Sequence, residues 1–370
     1  MKIYGRIALF ICLVISRVDI YAQPSISLNV GVLLPFYTDT SSTIAQKQIS
    51  QAALDYYTGL RLAAEDLNKW NVSVNFRVWD IQKMDDSELI KLPKSSEFQS
   101  LDMFIGPIAQ KPVDLIATNL QHTRFLWVSP LTALKLPKSV QNVNFFGHDS
   151  IRIKGLVHQL KLDFPNHTFY LITDSKKSNT LKYYKKELKN AKIGFTEHQI
   201  TGSRISPKIT TKSESIILLN VGTSSFSRLA QFSTVSRKAD SYIVGDLDWY
   251  DDLVPAEEID ETKIIYPSMN YIDGQDSAAL RFASNFIQRE RAEPSKFAFQ
   301  AYDQLFFIGA HYASTGYINI ESLPKAGYQG LINTYLFKKT ASNTFINQGI
   351  RIIKSEKIEL APLETNERSK

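Results

Sequence analysis

The chain of 370 residues carries 43 basic against 37 acidic residues, a net charge of +6. That length exceeds one ordinary core, and so mild a basic excess, without a clustered stripe, argues against a nucleic-acid partner. A single cysteine excludes a disulfide framework and a cysteine-built metal site.

Residues 1–22 set Lys2 and Arg6 ahead of the apolar run IALFICLVIS and then RVDIYA. These are the charged, apolar and cleavage regions of a secretory signal, with the cut expected after Ala22. The run falls short of the roughly 20 apolar residues that span a bilayer. Cys12 lies inside it, and Leu9-Phe10-Ile11 lack the small residues of a lipid-attachment site, so the mature chain is expected to be cysteine-free. Removing Lys2, Arg6, Arg17 and Asp19 leaves 40 basic and 36 acidic groups, a net of +4. The expected location is secreted and periplasmic, soluble once the signal is gone.

The remaining chain alternates strand with helix. NVGVLLP (29–35) is a continuous apolar run, as a strand covered on both faces reads. A helix is expected over 49–69, where Ala53, Tyr57, Leu60, Ala64 and Leu67 recur at helical spacing. VSVNFRV (72–78) alternates strictly, which marks an edge strand wet on one face. DMFIGP then runs into a helix expected over 107–121, followed by FLWVSP (125–130). The first turn of such a helix has backbone N–H groups without internal partners, and Gly106-Pro107 aims them beyond the end of the strand, where a ligand can be held.

A second series follows: TFYLITD (168–174), a helix near 178–190, GFTEHQI, ESIILLNVG (214–222), a helix near 224–237, and SYIVGDLD (241–248). Its lysine-rich stretch KKSNTLKYYKKELKN (176–190) fits the solvated face of one helix, with Tyr183, Tyr184 and Leu188 turned inward. KIIYPSMNYID (263–273), helices near 277–290 and 294–315, and a strand-like end too short to build another lobe complete the chain. Two such series predict an α/β protein of two doubly wound, Rossmann-like lobes. No repeat of 20–50 residues is present, and LPK at 92, 136 and 323 has no period.

The order of these landmarks resembles the type I periplasmic-binding fold (periplasmic binding protein-like I), the extracytoplasmic solute receptors related to branched-chain amino-acid-binding proteins. The stretches that carry the resemblance are VGVLLPF, ALDYYTGLRLAAEDLN, FIGPIA, FLWVSPLTA, VNFFGHDSIRIKGLVHQL and FAFQAYDQLFFIGAHYA, spread over residues 29–350. The resemblance implies three crossover strands, near 148, 270 and 330, and a ligand cleft at the strand C-terminal ends. The expected lobes are then 23–148 with 270–328, and 149–269 with 329–362, leaving 363–370 as a frayed tail.

Amino-acid receptors of this kind hold the substrate carboxylate with a small hydroxyl residue where this chain has Gln110, and with a Thr where it has Ala133, beside Thr132. An aromatic stacks on the ligand where this chain has Ser178, beyond Asp174. Tyr37 stands where such receptors often place a contact, and Asp246 is suited to facing an ammonium group. The expected ligand contacts are Tyr37, Ile108, Gln110, Ser129, Thr132, Asp174, Ser178 and Asp246. Asp and Ser in loops also satisfy local backbone groups, so each residue has a purely structural reading beside the functional one.

Catalytic motifs are missing: there is no G-x-S-x-G, no G-x-x-x-x-G-K-[ST], no G-x-G-x-x-G and no H-E-x-x-H. SLPK (322–325) matches S-x-x-K, but Pro324 opposes the helical turn that aligns such a pair. His122, His148, His158, His167, His198 and His311 lack ligand spacing. The chain is therefore read as no enzyme, without cofactor or metal. Two readings stay open: a solute-binding protein that hands a small molecule to a membrane transporter or sensor, and an envelope interaction protein that uses the same fold, for example in regulating cell-wall synthesis.

Overall fold

The structure, a computed structural model, describes residues 25–37, 43–120, 125–131, 134–173, 179–199, 215–220, 241–245, 263–268, 270–318, 321, 323, 327–340 and 343–355. The expected secretory signal, the helix expected near 224–237 and the tail 363–370 lie outside the described residues.

The chain opens with β1 (Ile26–Leu34), α1 (Ile44–Asn68) and β2 (Val72–Asp80). Two short helices, α2 (Asp86–Lys91) and α3 (Ser96–Gln99), lead to β3 (Met103–Ile105). Then come α4 (Gln110–Ala117), β4 (Leu126–Ser129) and β5 (Asn142–Asn144). The second series is α5 (Asp149–Asp163), β6 (Thr168–Thr173), α6 (Asn179–Asn190), β7 (Phe195–Gln199), β8 (Ser215–Asn220), β9 (Tyr242–Val244) and β10 (Ile264–Ser268). The end holds α7 (Ser277–Glu290), α8 (Lys296–Thr315), a small hairpin of β11 (Tyr328–Gln329) with β12 (Thr334–Tyr335), and β13 (Phe337–Lys339), β14 (Thr344–Asn347) and β15 (Arg351–Ser355).

Two sheets result. Among the described residues the first runs β13-β14-β5-β4-β3-β1-β2 and the second β15-β10-β9-β8-β6-β7. All pairs are parallel except β13 with β14 and β10 with β15. The unbroken apolar runs are explained by burial on both faces. Leu28, Val30, Val32 and Leu34 of β1 pack under α1 and α8, while Leu33 joins Phe104 and Trp127 in a second cluster on the opposite face. β2, the alternating strand, is the sheet's edge as expected.

The second sheet has its own core, in which Ile153, Leu156, Val157 and Leu160 of α5 and Leu181, Tyr184 and Leu188 of α6 pack with Leu171, Ile216 and Leu218. The lysine-rich stretch is thus the outer face of α6, with Lys182, Lys186 and Lys189 exposed. No helix among the described residues is long and apolar enough to cross a membrane.

Three differences from expectation have local causes. α1 starts at Ile44 rather than 49, because Thr43 and Gln46 form a reciprocal capping box: the Gln46 N–H donates to Thr43 Oγ1 at 3.3 Å and the Thr43 N–H to Gln46 Oε1 at 2.8 Å. α4 starts at Gln110 rather than 107, after a cis Gly106-Pro107 peptide and an extended Ala109. The third difference concerns the lobes. β13 and β14, placed with the second lobe in the 329–362 segment, instead extend the first sheet, where β14 runs parallel to β5 with Thr344 opposite Asn142. Only β15 of that segment joins the second sheet. The third crossover is therefore 348–350, not near 330, and the other two pass through 145–148 and 270–276.

α1 and α8 cross at close range over the first sheet. The contact passes through Gly59, where a Cβ atom would lie 2.1 Å from the Ala298 carbonyl oxygen.

Candidate functional site

The loops that follow β1, β2, β3 and β4 share the C-terminal edge of the first sheet, which is where open α/β sheets bind ligands. Asp80, the last residue of β2, ties two of them down. Its Oδ1 accepts from the Phe36 N–H at 3.0 Å, in the loop after β1, and from the Gln82 N–H at 3.1 Å. Ser50 of α1 donates to the Phe36 carbonyl from the other side. Held between these anchors, Tyr37 takes a φ of 43°, a left-handed conformation that side-chain-bearing residues adopt at a cost.

Tyr37 and Ile108, two of the expected contacts, line the same cavity of about 350 Å³. Its other walls are mostly carbon: Pro35, Ile49, Ile81, Met84, Leu89 and Leu115. Lys111 and Asp86 both line it and pair at 2.9 Å.

Gln110, another of the expected contacts, has both ends of its side-chain amide engaged within the first lobe. Its Nε2 donates to Asp114 Oδ1 at 2.8 Å and to the Lys135 carbonyl at 3.1 Å, and its Oε1 accepts from the Lys135 N–H at 3.0 Å. Both ends of the amide hold the loop after β4 against α4. Ser129 is fully buried, with its hydroxyl 3.4 Å from the Leu134 N–H. Thr132, Asp174, Ser178 and Asp246 lie outside the described residues.

The start of α4 has no side-chain cap. Pro112, in its first turn, has no N–H, so this helix offers fewer open donors than the usual four. The loop before it is fixed by Trp127, buried in β4, whose indole Nε1–H donates to the Gly106 carbonyl at 2.6 Å.

Sequence reasoning missed a polar stripe on α8. Gln300, Asp303 and Gln304, spaced as one helix face, are all buried. Gln304 Nε2 donates to the Pro130 carbonyl at 2.8 Å, fixing the loop after β4, while its Oε1 accepts from the Tyr56 hydroxyl at 2.6 Å. Burial pushes the Tyr56 hydroxyl well above its ordinary range. Gln300 Nε2 donates to Asn270 Oδ1 at 2.6 Å, in the second crossover. Burial likewise pushes the Asp303 carboxyl up to about 7, against the opposing pull of the Leu331 and Ile332 N–H groups, the Tyr335 hydroxyl and Arg351. The signal was three polar residues inside FAFQAYDQLFFIGA, an otherwise apolar helix.

Among the described residues no group of three or more His, Cys, Asp or Glu side chains could hold a metal ion. His122 and Ser322, Pro324 and Lys325 of the SLPK stretch lie outside the described residues.

No family model matches the sequence, and no curated protein matches it. Solved structures do. A putative branched-chain amino acid ABC transporter protein from Rhodospirillum rubrum is 12% identical, with 89% of this chain and 96% of that chain covered and a TM-score of 0.60. A putative branched-chain amino acid ABC transporter protein from Chromobacterium violaceum is 12% identical over 88% of this chain and 99% of that one, with a TM-score of 0.58. An ABC transporter substrate-binding protein from Desulfitobacterium hafniense, solved in complex with Leu, is 12% identical over 89% and 97%, with a TM-score of 0.50. The architecture of this chain is the type I periplasmic-binding fold, with two α/β lobes and three crossovers.

Proposed function

We propose that this chain is a secreted solute-binding protein, without turnover of its own, that closes two lobes on a small polar molecule and presents it to a membrane transporter. The observation that carries the reading is the convergence of the β1 and β3 loops on one cavity, through Tyr37 and Ile108, at the edge of the sheet where this architecture binds ligands. The likeness to an ABC transporter substrate-binding protein solved in complex with Leu, and to a putative branched-chain amino acid ABC transporter protein, supports an amino-acid-like solute.

In this reading the ligand sits between the start of α4 and Ser129 to Thr132 on one side and Asp174, Ser178 and Asp246 on the other. Gln110 acts by shaping the loop after β4, since its amide is already engaged. The open N–H groups of α4 and nearby hydroxyls suit a carboxylate, and an aspartate from the second lobe suits an ammonium. Contacts from both lobes are needed for a solute to favour the closed state over the open one.

The test is a thermal-shift screen of the mature protein against amino acids and other small polar metabolites. A solute at 100 times its Kd adds about 2.7 kcal/mol of stability. A reproducible rise in Tm with one chemical class supports the reading. A screen that is flat at millimolar concentrations counts against it.

A further inference from the structure

In the turn of the β11–β12 hairpin, beside the last crossover, two consecutive peptide groups are held between a carboxyl and a guanidinium. The peptide joining Gly330 to Leu331 donates its N–H to Asp303 Oδ1 at 2.7 Å and accepts at its carbonyl from Arg351 Nη2 at 2.6 Å. The next peptide does the same: the Ile332 N–H lies 3.2 Å from Asp303 Oδ2, and the Leu331 carbonyl 3.2 Å from Arg351 Nη1. In each plane the N–H points at a carboxylate and the C=O at a guanidinium, so each peptide dipole, about 3.5 D, is aligned with the field between them.

The surroundings fit this arrangement closely. A Cβ atom on Gly330 would lie 2.3 Å from Asp303 Oδ2, so only glycine lets the carboxylate approach. The Tyr335 hydroxyl donates to the same oxygen at 3.2 Å. With its amide oxygen turned toward the guanidinium, Gln329 accepts from Arg351 Nη2 at 2.6 Å and Nε at 3.2 Å.

The two charged residues belong to different parts of the molecule. Asp303 is on α8, over the first sheet, whereas Arg351 is the first residue of β15, in the second sheet. Arg351 also donates to the Tyr271 carbonyl at 3.1 Å, in the second crossover. Just before it, buried Asn347 connects the remaining one: its Nδ2 donates to the Phe145 carbonyl at 3.3 Å, and its Oδ1 accepts from the Gly349 and Leu336 N–H groups at 2.9 Å each. All three crossovers are thereby tied to the 329–336 segment.

We propose that Asp303 and Arg351 are positioning residues, a clasp across the Gly330–Ile332 peptides that makes the three crossovers bend as one hinge and so limits the range of lobe separations before any solute binds. This rests on the reading of two lobes that close on a solute. Arginine is needed because its planar fork serves the carbonyls of Gly330, Leu331 and Tyr271 together; a lysine ammonium has no such fork.

The test is single-molecule energy transfer between dyes on cysteines introduced in the full chain at Arg61 of α1 and Lys182 of α6, both exposed, with Cys12→Ser to remove the native thiol. No solute is added. The expected result is one narrow distance distribution for the parent, at least a twofold broadening or a second population for Arg351→Met, and an intermediate width for Arg351→Lys. A folded Arg351→Met protein with the parental distribution overturns the proposal. If Arg351→Met does not fold, Arg351→Lys decides, and a parental width there overturns it equally. A flat thermal-shift screen beside a broadened distribution leaves the clasp standing and removes the solute reading. A solute hit beside unchanged widths does the reverse.

Discussion

Replacing Asp303 by asparagine removes a titrating group from the centre of the first lobe while keeping one oxygen, which can accept from the Leu331 N–H that Oδ1 now takes; the lost bond to the Ile332 N–H lowers stability by an amount that does not vary with pH. The carboxyl is raised from 3.8 to about 7, chiefly by burial. The folded state therefore binds a proton more tightly than the unfolded state does. The stability this provides is fully present below 3.8 and is lost as pH rises through about 7. Each pH unit inside that window is worth about 1.4 kcal/mol, so between pH 5 and pH 8 the carboxyl's contribution falls by about 2.5 kcal/mol. Urea unfolding followed by tryptophan emission suits the measurement, since Trp70, Trp79 and Trp127 all belong to the first lobe. The stability of Asp303→Asn minus that of the parent is expected to grow by about 2.5 kcal/mol from pH 5 to pH 8. A constant difference would refute the reasoning, because it would mean that Arg351 and the N–H groups keep Asp303 ionised throughout.

Three further outcomes are expected. Gly59→Ala gains about 1 kcal/mol of helix propensity but drives a methyl into the Ala298 carbonyl, so a net loss of about 1–2 kcal/mol is expected in urea unfolding; a neutral or stabilising result would show that α1 and α8 can separate freely. Trp127→Phe leaves the buried Gly106 carbonyl unpaired, costing about 1–3 kcal/mol, and faster hydrogen exchange is expected in the 106–110 loop; unchanged exchange there would mean the loop is held by other contacts. Asp246→Ala should weaken solute binding in calorimetry by about 1.5–3 kcal/mol, the range for a hydrogen bond to a charged group, with the solute-free Tm unchanged. A lowered Tm with intact affinity would make Asp246 a turn residue.

The α/β alternation was legible in the sequence because strands covered on both faces leave a local trace. NVGVLLP, DMFIG and FLWVS each read as apolar runs, and each is a buried strand. The sheet to which a strand belongs leaves no such trace. Thr344–Asn347 reads the same whether it pairs with β5 or with β10, and the choice is made by contacts some 202 residues away in the chain, such as Asn347 to the Phe145 carbonyl. The same limit applied to the site. Counting from Gly106 reaches Gln110, yet nothing in that count shows that Lys135 occupies both ends of its amide. The cap at Thr43 was different, since T-x-x-Q is a local signal present in the sequence. Gln300, Asp303 and Gln304 fall between these cases: their burial follows from the apolar helix around them, while their partners lie in other segments.

That β14 closes onto β5 also sets a schedule. A ribosome adding about 5–20 residues per second takes roughly 10–40 s to travel from one of these strands to the other. For that interval β5 has no neighbour on one side, and of the two helices that cover β1 only α1 is already made, while α8 follows near its end. The first sheet is the first to be started and among the last to be finished.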